Sequence, residues 1–418
     1  MKTVLKISTS VVIAFFLLGG NFSGRAKIPE ISKNINEFSI EFLKQNAKAP
    51  GAPTNAIMSP QSIYYCLAMS YVASGGETRK ELAKTCHFPD DNKLLERDIQ
   101  TLRRGMLKNK NKNINVKIAN SLWLDKNRAS FSEDYIKEIK EAFWASVSDL
   151  DFSKKEETSG IVNSWVAKKT NGRINNIVSP EDFDSEYSPD SEKIAALLLL
   201  NVVYFKADWG HRFNKSNTKE KNFHIDTDNK TKTMMMYQNS EFYCSENDNF
   251  KFLKLPYIGN SYSMYVVLPK EITPIEKLMD EISTDMIKEM ESRAYPMEVD
   301  ILLPKFKMKN RLDVKTSLEA MGEKTAFDIK AADFDKMINK TQDGLRIYIR
   351  KIVQEAWIEV NEKGTEAAAV TEADTSCEGS AKPVTFHADH PFLFLIVHNQ
   401  SKSILFGGWI SNPDKLKE

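Results

Sequence analysis

The stretch from Ile194 to Phe205 most limits how this chain can fold. It is apolar at every position except Asn201, which is too uniform for a surface element. The pattern predicts a central strand buried on both faces, with one polar side chain inside it. Strand patterns and helical periods alternate from about Ile31 to Ile410, with no linker or internal repeat between them. We therefore expect one α+β domain.

Composition is typical of a soluble globular protein. The 418 residues are 41% hydrophobic and 28% charged, and the formal net charge is +1. A near-neutral chain gives no general argument for binding nucleic acid. We find no nucleophile elbow, zinc-binding helix or phosphate-binding glycine loop, so we expect no enzyme, metal or cofactor. We interpret the clustered His387, His390 and His398 as structural, because matching ligand partners are missing.

The N-terminus has the layout of an export signal. Lys2 and Lys6 precede an unbroken apolar run from Val11 to Leu18, and small residues follow. We predict a signal peptide over residues 1–24 and a secreted, extracellular protein, with an uncleaved signal anchor as the alternative. The run is too short to span a bilayer and no other stretch could do so, hence we expect no membrane partner.

Two further patterns concern covalent modification. Four glycosylation sequons follow the predicted signal, at Asn214, Asn229, Asn339 and Asn399. The cysteines are not spaced like the framework of a small disulfide-rich domain, so we expect no essential disulfide. They are Cys66, Cys86, Cys244 and Cys377.

The segment from Glu362 to Glu378 has the composition of a loop and the alternation of a strand. Every odd position from Thr365 to Cys377 is small and uncharged, whereas the charges after Lys363 fall on even positions. Side chains alternate between the faces of a strand, so one face could be buried while the other stays in water. A disordered acidic linker is the alternative that composition alone allows.

Motifs along the chain resemble one known family. Glu362-Lys-Gly-Thr-Glu-Ala-Ala-Ala resembles the hinge of inhibitory serpins. Asp389-His-Pro-Phe-Leu-Phe and Leu405-Phe-Gly-Gly resemble their C-terminal signature. Upstream, Asn55-Ala-Ile-Met-Ser-Pro resembles the start of the shutter helix, and Leu200-Asn-Val-Val-Tyr-Phe resembles the central strand. The order and spacing of the motifs agree with the family as well.

The resemblance implies a single serpin domain over residues 25–418, with three β-sheets, about eight or nine helices and an exposed reactive-centre loop at about 363–385. It implies a monomeric protease inhibitor that acts as a suicide substrate. A target protease, of the serine or else the cysteine class, would cleave the loop, which would then insert into the central sheet. A non-inhibitory carrier, chaperone or regulator is the alternative.

The resemblance also assigns site residues. The hinge comprises Glu362, Gly364, Thr365, Ala367, Ala368 and Ala369. The breach, where insertion would begin, contains Trp209 and an ion pair of Lys305 with Glu362. The shutter comprises Ser59, Ser62, Asn201 and Gln354. Gln354 stands where the family usually has a histidine, and it can form hydrogen bonds but cannot become charged near neutral pH.

The position of the reactive bond stays open. Counting from Glu362, as the family pattern suggests, gives Glu378-Gly379. Counting back from Pro391 gives Ser380 or a neighbour, and Lys382 is a third candidate. The distal part of the loop carries about two residues more than common members do.

A basic cluster has two interpretations. It consists of Arg103, Arg104, Lys108, Lys110, Lys112 and Lys117. In serpins the matching helix and the strand after it can carry a polyanion-binding patch. We favour a solvated face beside an exposed turn, because alternation of Lys and Asn is typical of loops.

Overall fold

The computed structural model describes residues 29–107, 112–184, 194–339, 345–365 and 383–416. Nine α-helices lie in these ranges: α1 Glu30–Lys48, α2 Pro60–Tyr71, α3 Gly76–Cys86, α4 Asn92–Leu107, α5 Glu133–Phe143, α6 Lys155–Thr170, α7 Ile275–Glu281, α8 Thr284–Arg293 and α9 Lys315–Met321. The first eight strands are β1 Ala56–Met58, β2 Ile114–Asp125, β3 Ser146–Leu150, β4 Ile194–Asp208, β5 Lys219–His224, β6 Lys230–Glu246, β7 Phe250–Pro256 and β8 Tyr262–Pro269. The others are β9 Tyr295–Pro304, β10 Phe306–Asp313, β11 Arg346–Val360, β12 Gly364–Thr365, β13 Val384–His387, β14 Phe392–His398 and β15 Ile404–Ile410. The expected α+β class is confirmed.

The described strands form two hydrogen-bonded sheets. The larger has the order β1-β15-β14-β8-β7-β6-β9-β13, with β5 paired to β6. The smaller has the order β10-β11-β4-β2-β3, with β12 paired to β4. The long strand β6 pairs with β9 over Met235–Cys244 and with β7 over Tyr243–Glu246. It thereby joins two of the three expected sheets into one continuous sheet.

Strand β4 lies at the centre of the smaller sheet and is buried on both faces, as its sequence predicts. On one face, Asn201 donates a hydrogen bond to Ser62 of α2. On the other, Trp123 of the neighbouring strand β2 packs edge-on against Trp165 of α6. Asn201 and Leu198, the residue opposite Trp123, are three positions apart and so point to opposite faces. Helices α2 and α6 therefore cover opposite sides of the sheet.

Helix α2 is the core helix of the molecule. All twelve of its residues are buried, as expected for a helix that is enclosed on every side. Pro60 occupies its first turn, where the missing N–H group removes no helical hydrogen bond. This fixed start brings Ser59 and Ser62 to the strands that the helix covers.

The chain turns back on itself after β11. Strand β11 runs parallel to β4 from Arg346 opposite Ile194 to Trp357 opposite Tyr204. Beyond that point β4 continues to Asp208, and its partner there is the antiparallel strand β12. Since β2 occupies the other edge of β4, β12 lies on the side of β11.

Three general features bear on function. Within the described ranges, no helix is long and apolar enough to cross a membrane. Among the same residues, no group of three or more His, Cys, Asp or Glu side chains could hold a metal ion. Cys66, Cys86 and Cys244 are buried free thiols, and Cys377 lies outside the described residues.

Candidate functional site

Trp209, at the end of β4, forms hydrogen bonds with the turn that follows β11. Its ring is 2% exposed and stacks on Tyr257, with ring centroids 4.5 Å apart. The indole Nε1 donates to the backbone oxygen of Asn361 at 3.0 Å. The backbone nitrogen of Trp209 donates to the oxygen of Lys363 at 2.7 Å. We keep the name breach for Trp209, Lys305 and Glu362, which meet here.

Glu362 and Lys305 form an ion pair in the breach. The Glu362 side chain is 6% exposed, and its Oε2 lies 3.2 Å from Lys305 Nζ. Burial by itself would raise the pKa of this carboxyl. Its hydrogen bonds to the backbone and to Lys305, together with the positive charge of Lys305, outweigh burial and hold the pKa below its ordinary value. An ionised Glu362 thus ties the turn after β11 to the link between β9 and β10.

Gly364 is required by the close approach of two backbones. Its φ is +140°, a conformation that other residues rarely adopt. A Cβ atom here would lie 2.2 Å from the backbone oxygen of Ala207. The hinge glycine therefore lets the chain pass from β11 into a pairing with β4.

A buried polar cluster connects β4 and β11 further along the sheet, and we keep the name shutter for it. Gln354 Nε2 donates to Asn201 Oδ1 at 2.6 Å and to the oxygen of Ser59 at 2.9 Å. Its Oε1 accepts from the nitrogen of Ser59 at 2.8 Å. Asn201 Nδ2 donates to Asn120 Oδ1 at 2.5 Å and to Ser62 Oγ. A buried group that loses its partner is costly, so this cluster resists separation of the two strands.

Asn120 is the shutter residue that the sequence analysis missed. It lies on β2, directly opposite Asn201. Its Nδ2 has no hydrogen-bond partner among the described residues, and Cys66 of α2 contacts its Oδ1 at 3.6 Å. The signal was weak, because β2 also carries Asn115, Lys117 and Ser121 and so does not single out Asn120. Burial raises the pKa of the Cys66 thiol far above its ordinary value, so the thiol stays neutral.

We expect Gln354→Ala to lower the free energy of unfolding by about 3 kcal/mol, because it leaves Ser59 and Asn201 with unpaired buried groups. Urea unfolding followed by fluorescence measures this change. The exposed Gln400 supplies a matched control, and Gln400→Ala should change the free energy by less than about 0.5 kcal/mol. Equal midpoints and slopes for Gln354→Ala and the wild type would show that the shutter does not stabilise the sheet.

The remaining hinge and bond residues lie outside the described ranges. They are Ala367, Ala368, Ala369, Glu378, Gly379, Ser380 and Lys382. The two described ends that flank them are anchored in different sheets. Thr365 pairs with Ala207 of β4 in the smaller sheet, whereas Val384 pairs with Val299 of β9 in the larger one.

The basic cluster on α4 is partly used for packing. Arg103 Nη1 donates to the oxygen of Phe143 at 2.6 Å, and its guanidinium lies 4.7 Å from the ring centre of Trp144. Arg104 lies over the same ring at 5.9 Å. Lys112 is exposed, and Lys108 and Lys110 lie outside the described residues. The structure therefore leaves less free charge on α4 than its sequence suggests.

The four sequons differ in accessibility. Asn214, Asn229 and Asn339 are exposed, whereas Asn399 is partly buried. Asn399 Nδ2 donates to both oxygens of Asn260 at 2.9 Å. An N-linked glycan attaches to this nitrogen, so glycosylation of Asn399 would break these bonds. Asn229 Nδ2 also donates to the Asp226 carboxylate, and Asn339 Nδ2 donates to the oxygen of Phe131, so it is exposure that favours the other three sites.

Comparisons of the sequence and of the structure with known proteins point to the same family. The family model for "Serpin (serine protease inhibitor)" matches residues 33–413. Leukocyte elastase inhibitor of Xenopus laevis is 32% identical over 366 residues, which span 86% of this chain and 93% of that protein. The crystal structure of native protease nexin-1 with heparin has a TM-score of 0.79 at 28% identity, covering 92% of this chain and 99% of that one. Human thyroxine-binding globulin in complex with thyroxine also has a TM-score of 0.79, at 24% identity over 92% and 99% of the two chains, which shows a shared fold alone.

Proposed function

This chain belongs to the serpin family, and on that premise we propose that it is an exported inhibitor that traps a protease, of the serine class or else the cysteine class, by loop cleavage and insertion. One observation carries the proposal. Gly364 and Thr365 already pair with the end of β4, on the side of β11. A strand that continued this antiparallel pairing would run along β4 toward Ile194, between β4 and β11.

The register of this pairing supports a particular reactive bond. If the inserted strand keeps this register, each residue further along the loop would pair with the residue one position earlier in β4. Thr371 would then lie opposite Asn201, and Glu378 opposite Ile194, the first described residue of β4. Strand β11, which would be the other neighbour of the inserted strand, also begins opposite Ile194, at Arg346, so a strand that ends at Glu378 would span the pairing of β11 with β4. This supports the count that ends at Glu378 over those that end at Ser380 or Lys382.

The same register supports the role of the small residues at odd positions. Odd positions of β4 face α2 and the core, as the contact between Phe205 and Phe406 and the bond from Asn201 to Ser62 indicate. Ala367 and Ala369 would enter on that side, where a small side chain passes between packed strands without leaving a buried charge.

The even positions would not all remain in water. Glu366 would lie opposite Lys206, a favourable cross-strand pairing of opposite charges. Glu372 and Asp374, however, would lie opposite Leu200 and Leu198, on the face that α6 covers. Insertion of this loop therefore requires α6 to shift away from the sheet.

The reactive residue would set the choice of target. If Glu378 is recognised, the protease must have a pocket with a cationic or donor-rich wall. The acidic residues Glu372 and Asp374 before it should favour enzymes with a basic rim, and salt should weaken that preference.

The proposal is tested by incubating the protein with a panel of serine and cysteine proteases. We expect a covalent complex that survives denaturing electrophoresis and a released C-terminal fragment that begins at Gly379, identified by its mass. A fragment that begins at Ala381 or Pro383 would move the reactive bond and leave the mechanism intact. Cleavage of the loop without a complex, and without a rise in melting temperature, would favour a non-inhibitory carrier or regulator.

The proposal also covers the export of the protein, its glycosylation and its basic cluster on α4. We propose export through residues 1–24 and glycosylation at Asn214, Asn229 and Asn339, the exposed sequons. A relative of known structure was solved with heparin, but Arg103 of this chain is engaged with Phe143 and Trp144. We therefore propose no polyanion site on α4.

A further inference from the structure

The segment that follows α6, residues 174–184, is attached on both sides of the place where the smaller sheet would open. We propose that Asp182 of this segment, with Lys351 of β11 and Arg311 of β10, forms a clamp across that opening, and that the clamp slows strand insertion until it is released. The inference rests on the proposed insertion between β4 and β11, and it assigns Asp182 as a positioning residue for that step.

One end of the segment is attached to α6 and, through this helix, to β3. Trp165 of α6 donates from Nε1 to Ser146 Oγ of β3 at 3.0 Å. Asn163 of α6 accepts at Oδ1 from the backbone nitrogens of Ile177 and Val178, at 2.9 and 3.1 Å. Its Nδ2 donates to the oxygen of Val178 at 2.8 Å. The segment therefore belongs to the side of the sheet that contains α6.

The other end is attached to β10 and β11 through Asp182, whose side chain is 9% exposed. Lys351 Nζ lies 2.7 Å from Asp182 Oδ1, and Arg311 Nη2 lies 3.0 Å from Oδ2. Arg311 Nε also donates to the oxygen of Ile177 at 2.7 Å. Burial alone would raise the pKa of Asp182, but bonds from Lys351 and from the nitrogen of Ser179, with the charges of both cations, lower the pKa below its ordinary value. An ionised Asp182 thus holds both strands.

The strand order shows what insertion does to these contacts. In the order β10-β11-β4-β2-β3, opening between β11 and β4 leaves β10 and β11 on one side and β2 and β3 on the other. A new strand would move the two sides apart by about 4.8 Å, the spacing of neighbouring strands. The ion pairs of Asp182 cannot stretch so far, so either the clamp or the contacts of the segment with α6 must break. Arg173 also reaches across, over the ring of Trp357 at 5.4 Å, but it is exposed, where such a contact is weak.

The clamp is the weaker of the two attachments. Its cations are partly exposed, with 23% of Lys351 and 39% of Arg311 accessible, so water can replace the carboxylate. Lys351 also lies 3.7 Å from Asp313 of β10 and keeps that partner after release. On the α6 side, the buried Phe183 packs edge-on against Phe152 and adds to the bonds of the helix. Release of the clamp also frees the segment to move with α6, as the required shift of that helix demands.

Uptake of a synthetic peptide by the sheet tests the proposal without a protease. The peptide has the sequence of residues 366–376 and carries fluorescein, and its binding is followed by anisotropy over time and by native electrophoresis. Asp182→Asn should take up the peptide about tenfold faster than the wild type, because the native state loses the clamp while the open state loses nothing. Lys351→Gln should act in the same direction, and Asp182→Glu should restore slow uptake.

Asp184→Asn is the matched control. It removes the same charge from the same segment, but the pair that it breaks is with Lys155 of α6, on one side of the opening. Its uptake rate should stay within about twofold of the wild type. Added salt should speed uptake by the wild type more than by Asp182→Asn, because salt weakens the ion pairs that only the wild type has. Thermal melting checks that the variants fold.

Three outcomes would overturn the proposal. Equal rates for the wild type, Asp182→Asn and Lys351→Gln would show that the clamp does not resist opening. Equal acceleration by Asp182→Asn and Asp184→Asn would indicate a general loosening of the segment. Failure of every variant to take up the peptide would show that the sheet does not open between β4 and β11. Faster uptake by Asp182→Asn in a protein that traps no protease would support the clamp and count against the proposed inhibitory function alone.

Discussion

Thr365→Arg is expected to turn the protein from an inhibitor into a substrate. Thr365 pairs with Ala207 at the point where the inserting segment would enter between β4 and β11. Arginine there would place a long charged side chain among packed strands without a partner, which is strongly unfavourable. Insertion would then be slower than completion of the cleavage reaction, and the protease would leave.

Stoichiometry of inhibition, with the products resolved on denaturing gels, measures this effect. The wild type should consume about one inhibitor per protease, whereas the variant should yield cleaved inhibitor and active enzyme. Thr101→Arg makes the same substitution at an exposed position of α4 and should keep full trapping. Stable complexes of Thr365→Arg at the stoichiometry of the wild type would refute the insertion mechanism.

Glu362→Lys is expected to make the native monomer convert on mild heating into polymers or a loop-inserted form. The substitution replaces the ion pair with Lys305 by a repulsion. Glu362 is 6% exposed and Lys305 is 44% exposed, and losing one partner of such a half-buried pair costs about 2 kcal/mol, between the values for exposed and buried pairs. The cost falls on the native state, in which the pair closes the top of the sheet.

Native electrophoresis and size-exclusion chromatography after heating follow this conversion. Glu289→Lys changes charge equally but breaks an exposed pair with Arg293 on α8, so it should behave as the wild type. The double exchange Glu362→Lys with Lys305→Glu should restore much of the monomer. Unchanged melting and a persistent Glu362→Lys monomer would show that the pair does not hold the sheet closed.

Local pattern was enough to predict part of this architecture. The apolar run around Asn201 predicted the central strand, because a strand buried on both faces leaves no alternation in its sequence. The hinge motif marked Gly364, and the structure supplies the reason in the short distance to Ala207. The central strand depends on a few consecutive residues, whereas Gly364 was assigned by resemblance to the family and is needed because β12 pairs with β4.

Contacts between distant parts of the chain were harder to predict. Asn120 belongs to the shutter only because β2 pairs with β4 in one register. Strand β6 joins two sheets because it has different partners along its length.

Strand β12 also has a kinetic consequence. Forming a pairing between distant residues begins with a loop closure, which is the entropically costly step. Because Gly364 and Thr365 are already paired with β4, that nucleus exists before any protease arrives. Growth from it consists of local steps, each adding backbone hydrogen bonds worth about 1 kcal/mol. Whether a bound protease is trapped then depends on two rates. One is the rate of hydrolysis of the acyl-enzyme, and the other is the rate at which the hydrogen bond between Gln354 and Asn201 breaks so that the strands can separate.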